Sequence, residues 1–316
     1  MQKFAFGVDI GGTTVKIGLF QADGELMDKW ELPTRTEDEG AQILPDIAAS
    51  VKEVMQRRAI KSNQVSGIGI GVPGPVDDDN NVNRCVNLGW GRFNLKERMN
   101  QLLPEIPCVA AGNDANVAAL GELWKGGGQG YTSAVMITLG TGVGGGVVLQ
   151  GKIVAGRNGG AGEIGHMPVE MCETTPCSCG KYGCLEQYAS ARGVAQMARR
   201  MLKESSIPSV LRDIPDLTSK HICEYAAAGD PMALQILDRF AMYLGRAMSY
   251  ISCTVDPAVF IIGGGMSKAG TIIIDAVRKH YQTFAFHVST DTPIVLATLH
   301  NDAGIYGCAK MIVNEQ

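Results

Sequence analysis

No excess of either charge sign marks this chain. Its 316 residues carry 28 Lys plus Arg against 32 Asp plus Glu, a net charge of −4. Without a basic surplus or a Lys/Arg run there is no electrostatic footprint for nucleic acid. Long apolar runs are lacking too. The first, Phe4 to Val8, ends at Asp9 and is too short for the core of a secretory leader. The longest uncharged stretch, residues 126–151, contains ten glycines and is further broken by Gln129, Thr132, Ser133, Thr138 and Thr141. A spanning helix needs about 20 mainly apolar residues, so this stretch reads as a buried strand between glycine loops. Pro- or Ser-rich linkers and low-complexity segments are missing as well. These absences predict a soluble, cytoplasmic protein with neither nucleic acid nor membrane as partner.

Apolar residues make up 45% and charged residues 19%, which fits neither a disordered chain nor a coiled coil. The length suits about two domains and a core that needs no disulfides. Nine cysteines are an odd number for a secreted disulfide framework. Six of them are scattered: Cys85, Cys108, Cys172, Cys223, Cys253 and Cys308. Most of these sit in apolar contexts and read as small buried hydrophobes. Cys177, Cys179 and Cys184 fall within eight residues and need another explanation.

Glycine is what the chain has in excess: 40 residues, against an average near 7%. The glycines cluster in short runs, where backbone must approach something closely. Phe4–Ile10 and Val15–Phe20 read as strands around Gly11-Gly12-Thr13-Thr14, a glycine hairpin. A third strand covers Glu25–Leu32. Ala41–Arg58 has helical periodicity through Ile43, Ile47, Val51, Val54 and Met55. Strands follow at Ser66–Val72 and Val109–Gly112, then a helix at Ala115–Trp124. The pattern then restarts, with strands at Ser133–Leu139 and Gly145–Leu149 around Gly140-Thr141-Gly142. A shift of 129 residues lays Val8-Asp9-Ile10-Gly11 over Ile137-Thr138-Leu139-Gly140. Each half also supplies a loop suited to phosphate, so the chain reads as a duplication. Long helices are expected at Gln187–Ser205 and Pro231–Thr254, and a strand at Ala258–Ile262. A helix at Lys268–Tyr281, a strand at Pro293–Ala297 and a helix at Asp302–Val313 complete the series. Alternating strands and helices indicate α/β architecture.

Three glycine loops each follow a strand: Asp9 to Lys16, Leu139 to Gly146, and Ile262 to Met266. Glycines let backbone N–H groups converge on an anion, and threonine hydroxyls add donors. None fits the P-loop pattern or a dinucleotide fingerprint. Asp9 ends a strand inside such a loop. A carboxylate there repels phosphates unless it holds a hydrated Mg²⁺; the other reading is a turn-capping Asp. Cys177-Ser-Cys179-Gly-Lys-Tyr-Gly-Cys184, with His166 eleven residues upstream, offers three thiolates and one imidazole for tetrahedral Zn²⁺. Four protein ligands leave no open position for water, so the ion would be structural; the other reading is three reduced thiols or a redox pair. Glu163 and Glu186 flank the knuckle and suit sugar hydroxyls. Asp114, between a strand and a helix, is either a helix cap or a general base at the carboxyl end of a sheet.

Taken together these motifs resemble the ROK family (repressor, open reading frame, kinase), and within it the bacterial glucokinases. The residues that carry the resemblance are Asp9-Ile-Gly-Gly-Thr-Thr14, Gly112-Asn-Asp-Ala-Asn-Val-Ala-Ala-Leu-Gly-Glu122 and Leu139-Gly-Thr-Gly-Val-Gly-Gly-Gly146. Gly159-Gly-Ala-Gly-Glu-Ile-Gly-His166 and Cys177-x-Cys-Gly-x-x-Gly-Cys-x-Glu186 complete them. The resemblance spans the whole chain. It implies the duplicated α/β fold called actin-like or ribonuclease H-like, with two domains and an interdomain cleft. The boundaries expected are 1–113 plus about 301–316 for a small N-terminal domain, and 114–300 for a large domain holding the knuckle.

The resemblance also implies roles. Asp114 is the catalytic base. Gly74, Asn113, Asp114, Glu163, His166 and Glu186 bind sugar. His166, Cys177, Cys179 and Cys184 ligate zinc. Asp9, Gly11, Gly12, Thr13, Thr14, Lys16, Thr138, Gly140, Thr141 and Gly142 surround the ATP phosphates, and Gly264 and Gly265 lie near adenosine. The activity implied is transfer of phosphoryl from ATP, with Mg²⁺, to the 6-hydroxyl of glucose, in a homodimer. Other hexoses (N-acetylmannosamine, N-acetylglucosamine, allose, fructose) and polyphosphate as donor are compatible with the same pattern. The family's repressors carry a helix-turn-helix domain before the first glycine loop. Asp9 stands so near the start that a kinase is expected instead. Loss of one knuckle thiolate is expected to raise the sugar KM and leave the ATP loops intact.

Overall fold

The computed structural model describes residues 3–314. Ten strands organise it: β1 Phe4–Ile10, β2 Thr14–Gln21, β3 Leu26–Pro33, β4 Val65–Val72, β5 Val109–Asn113, β6 Ala134–Leu139, β7 Val143–Leu149, β8 Lys152–Ile153, β9 Val259–Gly263 and β10 Ile294–Leu296. They form two five-stranded sheets with hydrogen-bonded orders β3-β2-β1-β4-β5 and β8-β7-β6-β9-β10. The orders are the same step for step, which is the duplication read from the glycine hairpins. In each sheet the central strands run parallel: β1 with β4 and β4 with β5, then β6 with β9 and β9 with β10. Parallel neighbours need crossover connections, usually helical. Ile43–Arg57 and Leu95–Leu102 serve in the first half, and Thr271–Phe284 joins β9 to β10 in the second.

Contacts divide the chain into two units. The first comprises Met1–Ser133, Gly146–Gly162 and Thr298–Gln316; the second comprises Ala134–Gly145 and Glu163–Ala297. Residues 114–133 and 146–162 therefore cluster with the N-terminal part. The physical reason is a glycine-mediated helix pair. Helices Asp114–Lys125 and Ala303–Asn314 approach so closely that a Cβ on Gly307 would overlap the Val117 carbonyl oxygen. Gly7 and Gly69, inside β1 and β4, likewise admit the backbone of the C-terminal helix at Ile305 and Cys308. Not all the glycine excess serves loops; part of it lets a helix press onto a sheet.

The core of the first unit is apolar and continuous. Phe6, Val8, Ile10, Ile17, Ile68 and Ile70 are buried, and Ile43, Ile47, Val51 and Val54 of the helix Ile43–Arg57 cover them. Burying each such side chain contributes about 1.5–3 kcal/mol.

Two expected helices are interrupted. The stretch 187–205 breaks at Ser190, whose extended backbone (ψ 160°) separates Glu186–Ala189 from Ala191–Glu204. Ser190 caps the second helix by accepting the Gly193 N–H at 2.9 Å. Near 268 the chain first makes a tight turn, Gly265–Ala269, and the helix starts at Thr271 after Gly270 at φ +78°. Pro231–Val255 forms as expected, with Pro231 in its first turn and Asp230 accepting from Met232 and Ala233. Among the described residues no helix is long and apolar enough to cross a membrane.

Candidate active site

In the first unit, the residues of interest lie at the carboxyl ends of β1, β4 and β5, the edge where open α/β sheets bind ligands. Asp9 is the penultimate residue of β1, paired with Lys16 across the hairpin and with Gly71 on β4. The hairpin closes through the Gly11 N–H to the Thr14 carbonyl at 3.0 Å. Burial pushes the Asp9 carboxyl up to about 6, the Asp114 charge pushes the same way, and Lys16 opposes both. Gly304, near the start of the C-terminal helix, leaves room for that carboxyl; a Cβ there would collide with it. A buried carboxylate under like-charge pressure at a glycine loop is a fitting ligand for a hard cation. Lys16 is committed elsewhere in part, its Nζ donating to the Asn301 carbonyl at 3.0 Å.

At the end of β5, Asn113 and not Asp114 is the helix cap. Asn113 Oδ1 accepts from the Ala115 and Asn116 N–H groups at 3.0 and 3.2 Å. Its amide donates to the Gly74 carbonyl at 3.2 Å, so Gly74 and Asn113 are brought together. Asp114 is the first helical residue, and its carboxylate accepts the Ala115 N–H at 2.8 Å. The cap alternative raised by the sequence thus falls to its neighbour.

In the second unit, register pairs Gly263 of β9 with Thr138 of β6. That pairing sets the loop after β9 beside the loop after β6. Gly264, at φ +82°, lies against Leu139, whose backbone a Cβ would reach at 2.6 Å. Thr138 and Leu139, which lead into Gly140-Thr141-Gly142, therefore lie beside Gly263 and Gly264. The loop itself closes through the Gly140 N–H to the Gly142 carbonyl at 3.0 Å.

Two short segments hold that loop. Glu186 Oε2 accepts the Val143 N–H at 3.1 Å, and the Ala191 N–H donates to the Gly140 carbonyl at 2.8 Å. Glu186 Oε1 accepts the Ser178 hydroxyl at 2.9 Å, inside the cysteine knuckle. Glu163 precedes a tight turn, Ile164–His166, whose Gly165 packs onto the Val143 carbonyl with no space for a Cβ.

The knuckle is shaped for a metal. One ligand atom from each of His166, Cys177, Cys179 and Cys184 lies within 4.8 Å of every other. Cys179 and Cys184 sulfurs are 3.7 Å apart, and Cys177 Sγ is 3.8 Å from His166 Nδ1. Sulfurs bound at about 2.3 Å in a tetrahedron are separated by about 3.8 Å. A disulfide would bring them to about 2.05 Å, and none of the nine cysteines forms one. The turn is drawn tight by the Cys177 N–H to the Lys181 carbonyl at 2.7 Å and the Gly180 N–H to the Cys177 carbonyl at 2.9 Å. The Lys181 backbone N–H lowers the Cys179 thiol from its ordinary range, favouring the thiolate a metal needs. Because Nδ1 faces the sulfurs, His166 keeps Nε2 for another partner.

The ROK family description matches residues 5–315. The chain belongs to the ROK family. It is 40% identical to the glucokinase of Halalkalibacterium halodurans, over 99% of this chain and 96% of that protein. The ROK glucokinase of Streptomyces griseus, solved in complex with glucose and AMPPNP, matches with a TM-score of 0.73 at 33% identity, covering 98% of each chain. The ROK hexokinase of Thermus thermophilus matches with a TM-score of 0.81 at 27% identity, covering 100% of each. The fold is accordingly the two-domain actin-like fold of the ROK sugar kinases, as the repeated sheet order indicates.

Sequence reasoning left several residues unnoticed. Ser178 sits between two candidate ligands but carries no signal of its own contact with Glu186. Glu122, quoted only as part of a motif, is fully buried and accepts N–H groups from Gly127, Thr298 and Leu299 at 2.8–2.9 Å. Its partners lie up to 177 residues away, beyond any local pattern.

Proposed function

We propose that this ROK sugar kinase transfers the γ-phosphoryl group of ATP to the 6-hydroxyl of glucose. The observation that carries the reading is the Asn113–Asp114 step. Asn113 caps the helix and reaches Gly74, and Asp114 follows it at the carboxyl end of the sheet, where a carboxylate would accept the hydroxyl proton. The similarity to a glucokinase along nearly the whole chain selects glucose as the acceptor.

Phosphoryl transfer depends mainly on positioning and on stabilising charge. Asp114 takes the proton as the sugar oxygen attacks phosphorus. Gly74, Asn113, Glu163, Glu186 and His166 are the residues proposed, from the ROK resemblance, to contact the sugar hydroxyls. The N–H groups of Gly12 and Gly142, with the hydroxyls of Thr13, Thr14, Thr138 and Thr141, are the donors proposed for the polyphosphate, while the Gly11 and Gly140 N–H groups close their own loops. Gly264 and Gly265 allow the adenosine end to lie close to backbone. Asp9 would hold Mg²⁺, which when bound would supply charge neutralisation at the phosphates, and Lys16 would add positive charge beside it. His166, Cys177, Cys179 and Cys184 would hold structural Zn²⁺, and that ligation would fix the knuckle and with it Glu186.

A coupled assay with glucose, N-acetylmannosamine, N-acetylglucosamine, allose and fructose, each with ATP and with polyphosphate, tests the reading. The expected result is the highest kcat/KM for glucose with ATP. A higher value for another hexose, or for polyphosphate, replaces that part of the reading. A homodimer is also proposed. Its support is an exposed apolar strip on the second unit: Tyr250, Phe284, Phe286 and Val288 are 38–70% exposed, and Arg246 lies over the Phe284 ring at 5.2 Å. Light scattering at micromolar concentration should return twice the chain mass of 33.6 kDa.

A further inference from the structure

We propose that Ser178 is a positioning residue that couples the zinc knuckle to the glycine loop Gly140–Gly142 through Glu186, so that the knuckle governs nucleotide affinity as well as sugar affinity. The proposal rests on the assignment of that loop to the nucleotide phosphates.

The geometry is a relay of short contacts within the second unit. The Ser178 hydroxyl donates to Glu186 Oε1 at 2.9 Å. Glu186 Oε2 accepts the Val143 N–H at 3.1 Å, directly after the loop. The carboxylate lies so close under the loop that a Cβ on Gly142 would overlap Oε2. Ser190, at the end of the short helix that Glu186 opens, is followed by Ala191, whose N–H holds the Gly140 carbonyl at 2.8 Å. The loop is thus gripped at both ends, Gly140 and Val143, by the segment that leaves the knuckle at Cys184.

Glu186 is a flexible side chain with several rotamers. The bond from Val143, with only a long contact from Cys177 Sγ at 3.9 Å that a metal-bound thiolate could not donate, leaves the carboxylate free to swing. The second, from Ser178, fixes both oxygens at once. Ser178 is itself held between Cys177 and Cys179, so its position follows the order of the knuckle. Each carboxylate oxygen has two lone pairs, so both contacts leave Glu186 able to accept from a sugar hydroxyl. The sequence alone leads to the expectation that a knuckle lesion leaves the ATP loops largely intact; the Ser178–Glu186–Val143 relay predicts the opposite.

The test measures AMPPNP binding by calorimetry, without sugar, together with zinc content. Ser178→Ala should retain about one zinc per chain and weaken AMPPNP about three- to tenfold, the net worth of one ordinary hydrogen bond at an exposed site. Ser178→Thr keeps the hydroxyl and should restore affinity. Cys179→Ser, which loosens the whole knuckle, should weaken AMPPNP at least as much. Unchanged AMPPNP affinity in Ser178→Ala, with the parent binding normally, overturns the coupling and leaves the loop assignment standing. Loss of zinc from Ser178→Ala overturns the positioning role, because the effect would then run through metal retention. No AMPPNP binding by the parent protein overturns the loop assignment, and the coupling with it.

Discussion

At the same step of the repeat the first half carries Asp9 and the second carries Thr138. Both residues end a buried strand, both precede a glycine hairpin, and both strands hold the centre of a sheet with the same order. The chemistry around them differs. Asp9 is a carboxyl under pressure from burial and from Asp114. Thr138 is neutral, and its loop is gripped from behind by Glu186 and Ala191. The same contrast recurs two strands further out. The first half ends β5 with Asn113-Asp114, while the second ends β10 with Leu296-Ala297. Duplication kept the backbone geometry and let the side chains diverge, so charge gathered in one half and anchoring in the other.

The sharpest way to break this contrast is to remove the charge that has no counterpart. Asp114→Asn keeps the size and helical position but not the proton acceptor. The expected outcome is a fall in kcat of roughly 10²–10⁴, with a much smaller change in sugar affinity. Steady-state kinetics with glucose and ATP checks it. Near-normal turnover in a folded variant would show that the charge asymmetry between halves is not catalytic.

A second carboxylate of the first unit has a purely structural task. Glu122 is fully buried, yet its oxygens accept three backbone N–H groups, two of them from the strand-to-helix connection at Thr298 and Leu299. Glu122→Gln replaces an acceptor with a donor facing those N–H groups. Stability should fall by about 1.5–3 kcal/mol, read from urea unfolding, with kcat affected less than in Asp114→Asn. A fall in kcat as large as that of Asp114→Asn would move Glu122 into the chemistry.

Asp9 separates the two halves by pH. Its folded carboxyl titrates at about 6, above the ordinary value of 3.8. The unfolded chain therefore releases the proton first. As pH rises from about 4 to about 6 the folded state loses ground, and above 6 the penalty is complete. Asp9→Asn removes it. The variant should be more stable than the parent above pH 6, by about 1–3 kcal/mol, and no different below pH 4, while losing phosphoryl transfer. Chemical unfolding at pH 4 and pH 8 without metal checks both limits. Equal stability at pH 8 would mean that Asp9 is not under pressure, and the contrast with Thr138 would lose its electrostatic basis.

Much of this was legible because it is local. The glycine hairpins, the cysteine knuckle and the Asn113-Asp114 step are each contained within a dozen residues, and their residue types limit the backbone or the chemistry. The repeat was legible because both hairpins keep the same spacing. The break at Ser190 was not: the apolar periodicity runs on across it, and only the capping bond to Gly193 ends one helix and starts the next. The Glu186–Val143 bond joins residues 43 apart and the Glu122–Leu299 bond residues 177 apart, so neither leaves a sequence pattern. The packing glycines misled in another way. Gly7, Gly69 and Gly307 add to the same excess as the loop glycines, but they serve the close seating of the C-terminal helix.

The smallest expected effect probes the loops themselves. A shift of 129 residues aligns Gly12 with Thr141, so the second half already carries a side chain at this step. Gly12 has no positive φ, and a Cβ placed on it meets nothing within 4 Å. Gly12→Ala should therefore change stability by no more than about 0.5 kcal/mol, the range of an unstrained surface substitution. The added methyl nevertheless stands where backbone N–H groups must close on an anion, and a glycine there is useful for close approach rather than for conformation. The ATP KM should rise several-fold while the sugar KM and the unfolding midpoint stay in place. If Gly12→Ala leaves the ATP KM unchanged, the first loop tolerates a side chain as the second does at Thr141. The nucleotide would then lean on the second loop alone, and the two hairpins would share geometry without sharing a ligand.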